Sequence, residues 1–417
     1  MPTTARGWLP RLRAATEGLH ADLDQAPFVA ALRRGDASER ELATFLWIMA
    51  LLHAATQRAC AALEDPALRE LAADVGARGL QAESDLMTLA ASGDADMSLD
   101  VAAMRPITAV AEAILWRAHE DPSALVGALY VLQGSRRGAR VLAEPIAAQH
   151  PELRYFAAGA ESFGPAWRRL CAALEDRDPA AADGACELAA AIFRALGDAL
   201  RALNSPPNPS RATAMVLNTE AGAHPIVTAP RSLVAALIAG IRCWRDFPYL
   251  EARYGTRGRR FTGSDSAWLA TLAGARHEAA LTKVRWLGRV LAARGLPTLI
   301  LEAHIRCLHR ELAAFTAVDA ADLAPLVAAA EALRSARARH LSDAARQHLE
   351  AEFGAALKAP DPFATPALVV AAVADERAGH ERAVESLTSW LADEARFGRR
   401  WSKAVRDLVT AARALAR

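Results

Sequence analysis

Two stretches carry residues that could do chemistry at spacings a helix puts to use. Residues 12–23 read LRAATEGLHADL, with one imidazole, His20, and one cation, Arg13, seven positions earlier. Seven residues are two helical turns, so both side chains share a face. A neutral imidazole is a ready metal ligand, and a cation two turns away can neutralise an anionic edge of the metal's carrier. Residues 127–141 read GALYVLQGSRRGARV and should interrupt a helix with two glycines, Gly134 and Gly138. Glycine costs a helix roughly 1 kcal/mol relative to alanine, so two of them need a reason. Close approach of backbone to a flat ligand is one reason, and close packing of a second helix is the other. His20 lies among Leu12, Leu19 and Leu23 and is expected to face inward, where a core histidine bonded to a carbonyl is the alternative.

The second half offers a different set. LEAHIRCLHREL places Glu302 and His309 seven apart, ADERAGHERA places Glu376 and His380 four apart, and Glu278 lies in an earlier helix. Carboxylate and imidazole pairs on facing helices are how helical bundles hold two irons. Ordinary solvated helix faces explain the same residues, because His277, His304, His340 and His348 show that imidazoles are plentiful here. Residues 247–261 read as a loop, with Arg253, Arg257, Arg259 and Arg260 among Tyr249, Tyr254 and Phe261. Such a loop could stack bases, grip a phosphate, dock an acidic reductase, or be pinned by its arginines to helix carboxylates.

The elements that must position these residues are helical. Ala/Leu-rich stretches with charges at helical spacing dominate, and strand-like alternation is nearly absent, so an all-α fold is expected. In the first half the pattern predicts helices over about 8–33, 38–63, 66–92, 107–119, 122–148, 163–175 and 181–204. In the second it predicts about 230–245, 264–295, 297–318, 321–356, 365–394 and 398–416. Ser38 and Glu41 form a capping-box pattern, and Asp121-Pro-Ser123 opens the glycine-bearing helix. The run from Asn204 to Ser210 cannot continue a helix. It implies a domain over 1–204, a Pro-rich linker at 205–212 and a second all-helical domain over 213–417, which could be a divergent copy of the first. Net charge is +1, which gives no global field toward nucleic acid or membrane. Five dispersed cysteines, no apolar run of membrane-span length and no signal-type N-terminus lead to a cytoplasmic expectation.

The motifs combine into a family resemblance. Residues 12–23 match the pattern L-[KR]-x-A-T-x-x-x-H-x-x-L/A, and residues 130–139 (YVLQGSRRGA) match Y-V-L-E-G-S-x-x-G-[GA]. Residues 80–89 (LQAESDLMTL), 163–174 (FGPAWRRLCAAL) and a terminal helix through Phe193 and Leu196 extend the match over about 8–204. This half resembles the biliverdin-forming haem oxygenases, particularly their short bacterial forms. The resemblance implies a haem-oxygenase-like helical bundle that takes haem as both substrate and cofactor. It further implies release of biliverdin, CO and ferrous iron, with electrons from an external reductase or ferredoxin. It casts His20 as the proximal iron ligand and Arg13 as a propionate partner, with Arg168 or Arg169 as a second. It casts Gly134, Ser135 and Gly138 as the distal wall. Gln133 stands where glutamate is common, and Arg136 and Arg137 crowd a stretch that is often less charged. A haem-binding or haem-sensing protein without turnover is the alternative. The set Glu278, Glu302, His309, Glu376 and His380 is similar to the non-haem diiron oxidases that share this fold, which implies non-haem iron and an oxidase in the second half. It departs from them by a glutamate in place of aspartate in the last pair and by the lack of a sixth ligand.

Overall fold

The computed structural model describes residues 7–61, 63–91, 100–175, 177–203, 212–357 and 359–416. Among them the fold is all-α, with 17 α-helices and no strand. Two compact units divide the chain, Met1–Val234 and Ala235–Arg417. The expected linker at 205–212 lies, except for Ala212, outside the described residues.

The first unit is built from α1 (Trp8–Asp24), α2 (Pro27–Arg34), α3 (Glu39–Cys60), α4 (Pro66–Ala91), α5 (Val101–Glu120), α6 (Leu125–Gln149), α7 (Tyr155–Leu174) and α8 (Asp183–Leu203). Helix α3 is its axis. Leu46 to Thr56 are buried without interruption, as expected of a helix covered on every side. The Ser38–Glu41 capping box starts α3: Glu41 N–H donates to Ser38 Oγ, and Ser38 N–H donates back to the Glu41 carboxylate. Helices α4 and α5 pack on α3, α7 and α8 pack on α6, and α1 packs on α8.

Two helices start earlier than their periodicity suggests, because a carboxylate caps each. Asp100 accepts the Ala102 and Ala103 N–H groups at the head of α5. Asp85, from α4, accepts those of Arg154 and Tyr155 at the head of α7. Each satisfies donors that the first helical turn leaves free.

The second unit holds most of α9 (Pro230–Asp246), then α10 (Pro248–Leu269), α11 (His277–Ala292), α12 (Thr298–Phe315), α13 (Ala320–Ala338), α14 (Asp343–Leu357), α15 (Thr365–Arg377), α16 (Ala383–Leu391) and α17 (Glu394–Leu415). The expected loop at 247–261 is instead the first half of α10. Pro248 supplies the fixed φ of a first helical residue, and Gly255 (φ 52°) absorbs a kink that lets the helix continue. Long predicted helices are also cut at left-handed residues. Gly274 ends the α10 segment by donating to Asp322 O, and Gly379 separates α15 from α16.

Helices α6 and α8 cross with their backbones almost in contact. A Cβ at Gly127 would collide with the Ala185 carbonyl oxygen, which cannot move without displacing α8. Gly127→Ala is therefore expected to destabilise the first unit by about 1–3 kcal/mol. A lowered urea midpoint with an unchanged slope would show it, and an unchanged midpoint would mean the crossing relaxes freely.

Candidate functional site

His20 does not face inward. Its side chain is 58% exposed, and Nδ1 lies 3.1 Å from the Asp24 carboxylate one turn later. The ring rests against Phe193 of α8, with centroids 5.7 Å apart. The inward position one turn before is taken by Thr16, whose hydroxyl binds Leu12 O and lies 3.5 Å from the Tyr130 hydroxyl of α6. Arg13 is exposed and makes no ion pair among the described residues.

Helix α6 runs unbroken through both glycines, so they do not interrupt it. They leave its outer face bare instead. A Cβ at Gly138 would meet nothing within 4 Å, and one at Gly134 would first touch the Trp167 ring at 3.7 Å. Tyr130 lies 5.8 Å from Trp167, which stacks on Phe163 at 6.0 Å, so half-buried rings border this face. Ser135 is half-buried and donates to Leu132 O. Arg137 is exposed, but Arg136 does not crowd the face. It turns the other way, is 1% exposed, and donates to Asp74 of α4 at 2.6 Å and Ser162 of α7 at 2.6 Å. Gln133 donates to the same Asp74 oxygen at 3.0 Å. Arg169 also reaches Asp74, at 3.3 Å, whereas Arg168 is exposed without an ion pair.

Beneath α6 lies a buried polar group that the sequence did not announce. His53 Nε2 lies 3.1 Å from the Tyr155 hydroxyl, Arg78 donates to Tyr155 O at 2.6 Å, and its guanidinium sits 4.0 Å over the Tyr155 ring. Burial first, and then the charges of Arg78 and Arg136, hold His53 well below the usual histidine range, so it is neutral. Room for Arg78 comes from Gly159, where a Cβ would collide with the guanidinium. His53 Nδ1, Arg78 Nε, Arg136 Nε and Gln133 Oε1 are buried without a hydrogen-bond partner.

The five residues expected to hold two irons do not assemble. Among the described residues no three His, Cys, Asp or Glu side chains come together as a metal site. Glu302 is taken by Arg306, at 2.8 Å, and by Arg337. Both oxygens of Glu376 accept from Arg413, at 2.7 and 2.9 Å. Helix α15 ends at Arg377, so His380 does not share a helical face with Glu376. Glu278 is exposed on the first turn of α11, and His309 is half-buried on α12. Nor do the arginines of α10 form an open cluster. Arg253 lies against the Tyr249 hydroxyl and donates to Ser386 O at 2.8 Å, and Arg259 pairs with Glu251 at 2.7 Å.

The residues expected at a haem site lie on α1, α6 and α7. An imidazole whose Nδ1–H is held by a carboxylate presents Nε2 as a basic, oriented ligand. Here that ring is exposed, and α6 carries a face cleared of side chains and bordered by aromatic rings. His20 and Gly134 each lie four residues, about one turn, beyond the Thr16–Tyr130 contact on their own helices. Arg13 and Arg168 are both exposed, with no ion pair among the described residues.

In the second unit the buried histidine is His304, bonded to Ser266 Oγ at 2.5 Å and pushed by burial from 6.5 to about 4. The unfolded chain therefore binds this proton first as pH falls, so the contribution is intact above about 6.5 and lost toward 4. The loss amounts to roughly 3 kcal/mol at most. His304→Gln should shrink the drop in urea midpoint between pH 7 and pH 4.5, and an equal drop in both proteins would sink this assignment. Comparison with known proteins gives no family for these sites: no family model, curated protein or solved structure matches the chain.

Proposed function

We propose that the first unit is a haem-degrading monooxygenase that opens haem to biliverdin, CO and ferrous iron with electrons from an external reductase or ferredoxin. The observation that supports this reading is the outward His20 ring, with Nδ1 3.1 Å from the Asp24 carboxylate, in a unit whose α6 has open space at Gly138 and only the Trp167 ring near Gly134. His20 Nε2 would ligate the iron, and Arg13 and Arg168 would meet the propionates. Bound haem supplies the iron at which dioxygen is activated and the ring that is cleaved.

The chain's own part is positioning. Asp24, whose carboxylate lies 3.1 Å from Nδ1, would hold the ring orientation of a ligating His20. Gly134 and Gly138 admit a flat ring against backbone, where any larger side chain would stand in its way. His53 Nδ1, Arg78 Nε, Gln133 Oε1 and Arg136 Nε, without a partner among the described residues, are atoms of the kind that hold ordered water. One observation favours a second reading, a haem carrier or sensor without turnover: α6 is unbroken at its glycines, so no backbone group is released there.

Optical titration of the full chain with hemin, followed by ascorbate in air, separates the two. A saturable Soret band that decays to the broad red absorption of biliverdin is the expected result. A stable ferrous–oxy spectrum would select the carrier. His20→Ala should abolish the band, and Asp24→Asn should weaken haem affinity by about 10–100-fold. A band unchanged in His20→Ala would reject the ligand assignment.

A further inference from the structure

The net charge of +1 conceals a division. Up to Val234 the chain carries 22 Lys/Arg against 28 Asp/Glu, a formal −6, and from Ala235 onward 27 against 20, a formal +7. Much of the positive charge in the second unit is spent internally. Arg253, Arg306, Arg337 and Arg413 hold carbonyls or carboxylates, and Arg257, Arg259 and Arg260 each have partners. Helix α11 gathers several exposed cations on one face. Its outer face presents Lys283, Arg285 and Arg289, all exposed and in no ion pair among the described residues, with Arg276 just before the helix. Trp286 stands at the centre of these cations, 43% exposed, with its inner edge braced on Trp268 at 6.1 Å. A rigid aromatic ring ringed by arginines is the composition of a protein-docking hot spot. Single-stranded nucleic acid needs successive rings to stack on, and among the described residues of this unit Trp286 is the one aromatic among the large exposed apolar side chains.

The matching charge is on the same chain. Where α5, the turn Pro179–Ala182 and the head of α8 come together, Asp121, Asp183 and Glu187 pair with Arg11 and Arg117, and Asp178 lies beside them. Asp183 and Glu187 are the most exposed of these, at 77% and 71%.

We propose that the chain self-associates, the cationic face of α11 in one copy docking through Trp286 on the acidic end of the first unit in a second copy. The contact is heterologous, so each copy carries both halves of it.

Sedimentation of the full-length protein tests this across concentration, at about 0.1 M and about 1 M salt, because screening at the higher strength removes such steering. A mass above the 44.4 kDa of one chain, lost at high salt, is expected. Combined Lys283→Glu, Arg285→Glu and Arg289→Glu should weaken association about tenfold or more, and so should combined Asp183→Lys and Glu187→Lys. Mixing these two variants should restore it, since each then carries the complement of the other. Circular dichroism melts check that both variants fold, which the exposure of all five sites favours. A single-chain mass under every condition overturns the proposal, as does association that neither reversal disturbs. Binding of an oligo(dT) probe that is lost in the α11 variant, by a protein that stays single-chain, would give the face to nucleic acid instead and likewise overturn it.

Discussion

Arg136 cannot give up its proton, and it has almost no contact with solvent, so its charge must be answered where it lies. Asp74 answers it, and the same carboxylate takes Gln133 one turn earlier and Arg169 from α7. Residues 133 and 136 lie on one side of a helix, and 134 and 138 on the opposite side. A single acceptor on α4 therefore fixes the rotation of α6 about its axis. The bare glycine face points outward because the ion pair points inward. Ser162, bound to the other arm of Arg136, ties α7 to the same arrangement.

The second unit follows the same economy. Asp375 accepts the N–H and hydroxyl of Thr298 at the head of α12, Arg337 donates to that hydroxyl at 3.1 Å and to Glu302, and Arg306 closes the series. Helices α12, α13 and α15 are tied by one run of alternating charge. A carboxylate held between two guanidiniums is already neutralised, and its lone pairs are directed at N–H groups. Glu302 and Glu376, two of the expected metal ligands, thus make ion pairs that join helices.

What could be read in the sequence was local. The Ser38–Glu41 box and the helical periods follow from residues within a few positions of one another. What could not be read was reciprocal and distant. Asp74 and Arg136 are 62 residues apart, Asp85 and Tyr155 are 70, and Thr298 and Asp375 are 77. No periodicity marks such a pair, because each partner alone looks like a solvated surface charge. His20 shows the converse. Flanking leucines suggested a buried ring, yet the face of α1 that meets α6 is held by Thr16, and the imidazole is left outside.

The Arg78 guanidinium fills the volume that a side chain at residue 159 would occupy. The two positions therefore cannot drift independently. Any mutation at 159 alone drives a buried cation off its carbonyl and its aromatic ring, whereas shortening Arg78 first opens the site to alanine or serine. The absence of a side chain at 159 and the length of Arg78 are thus one packing choice shared between α4 and α7.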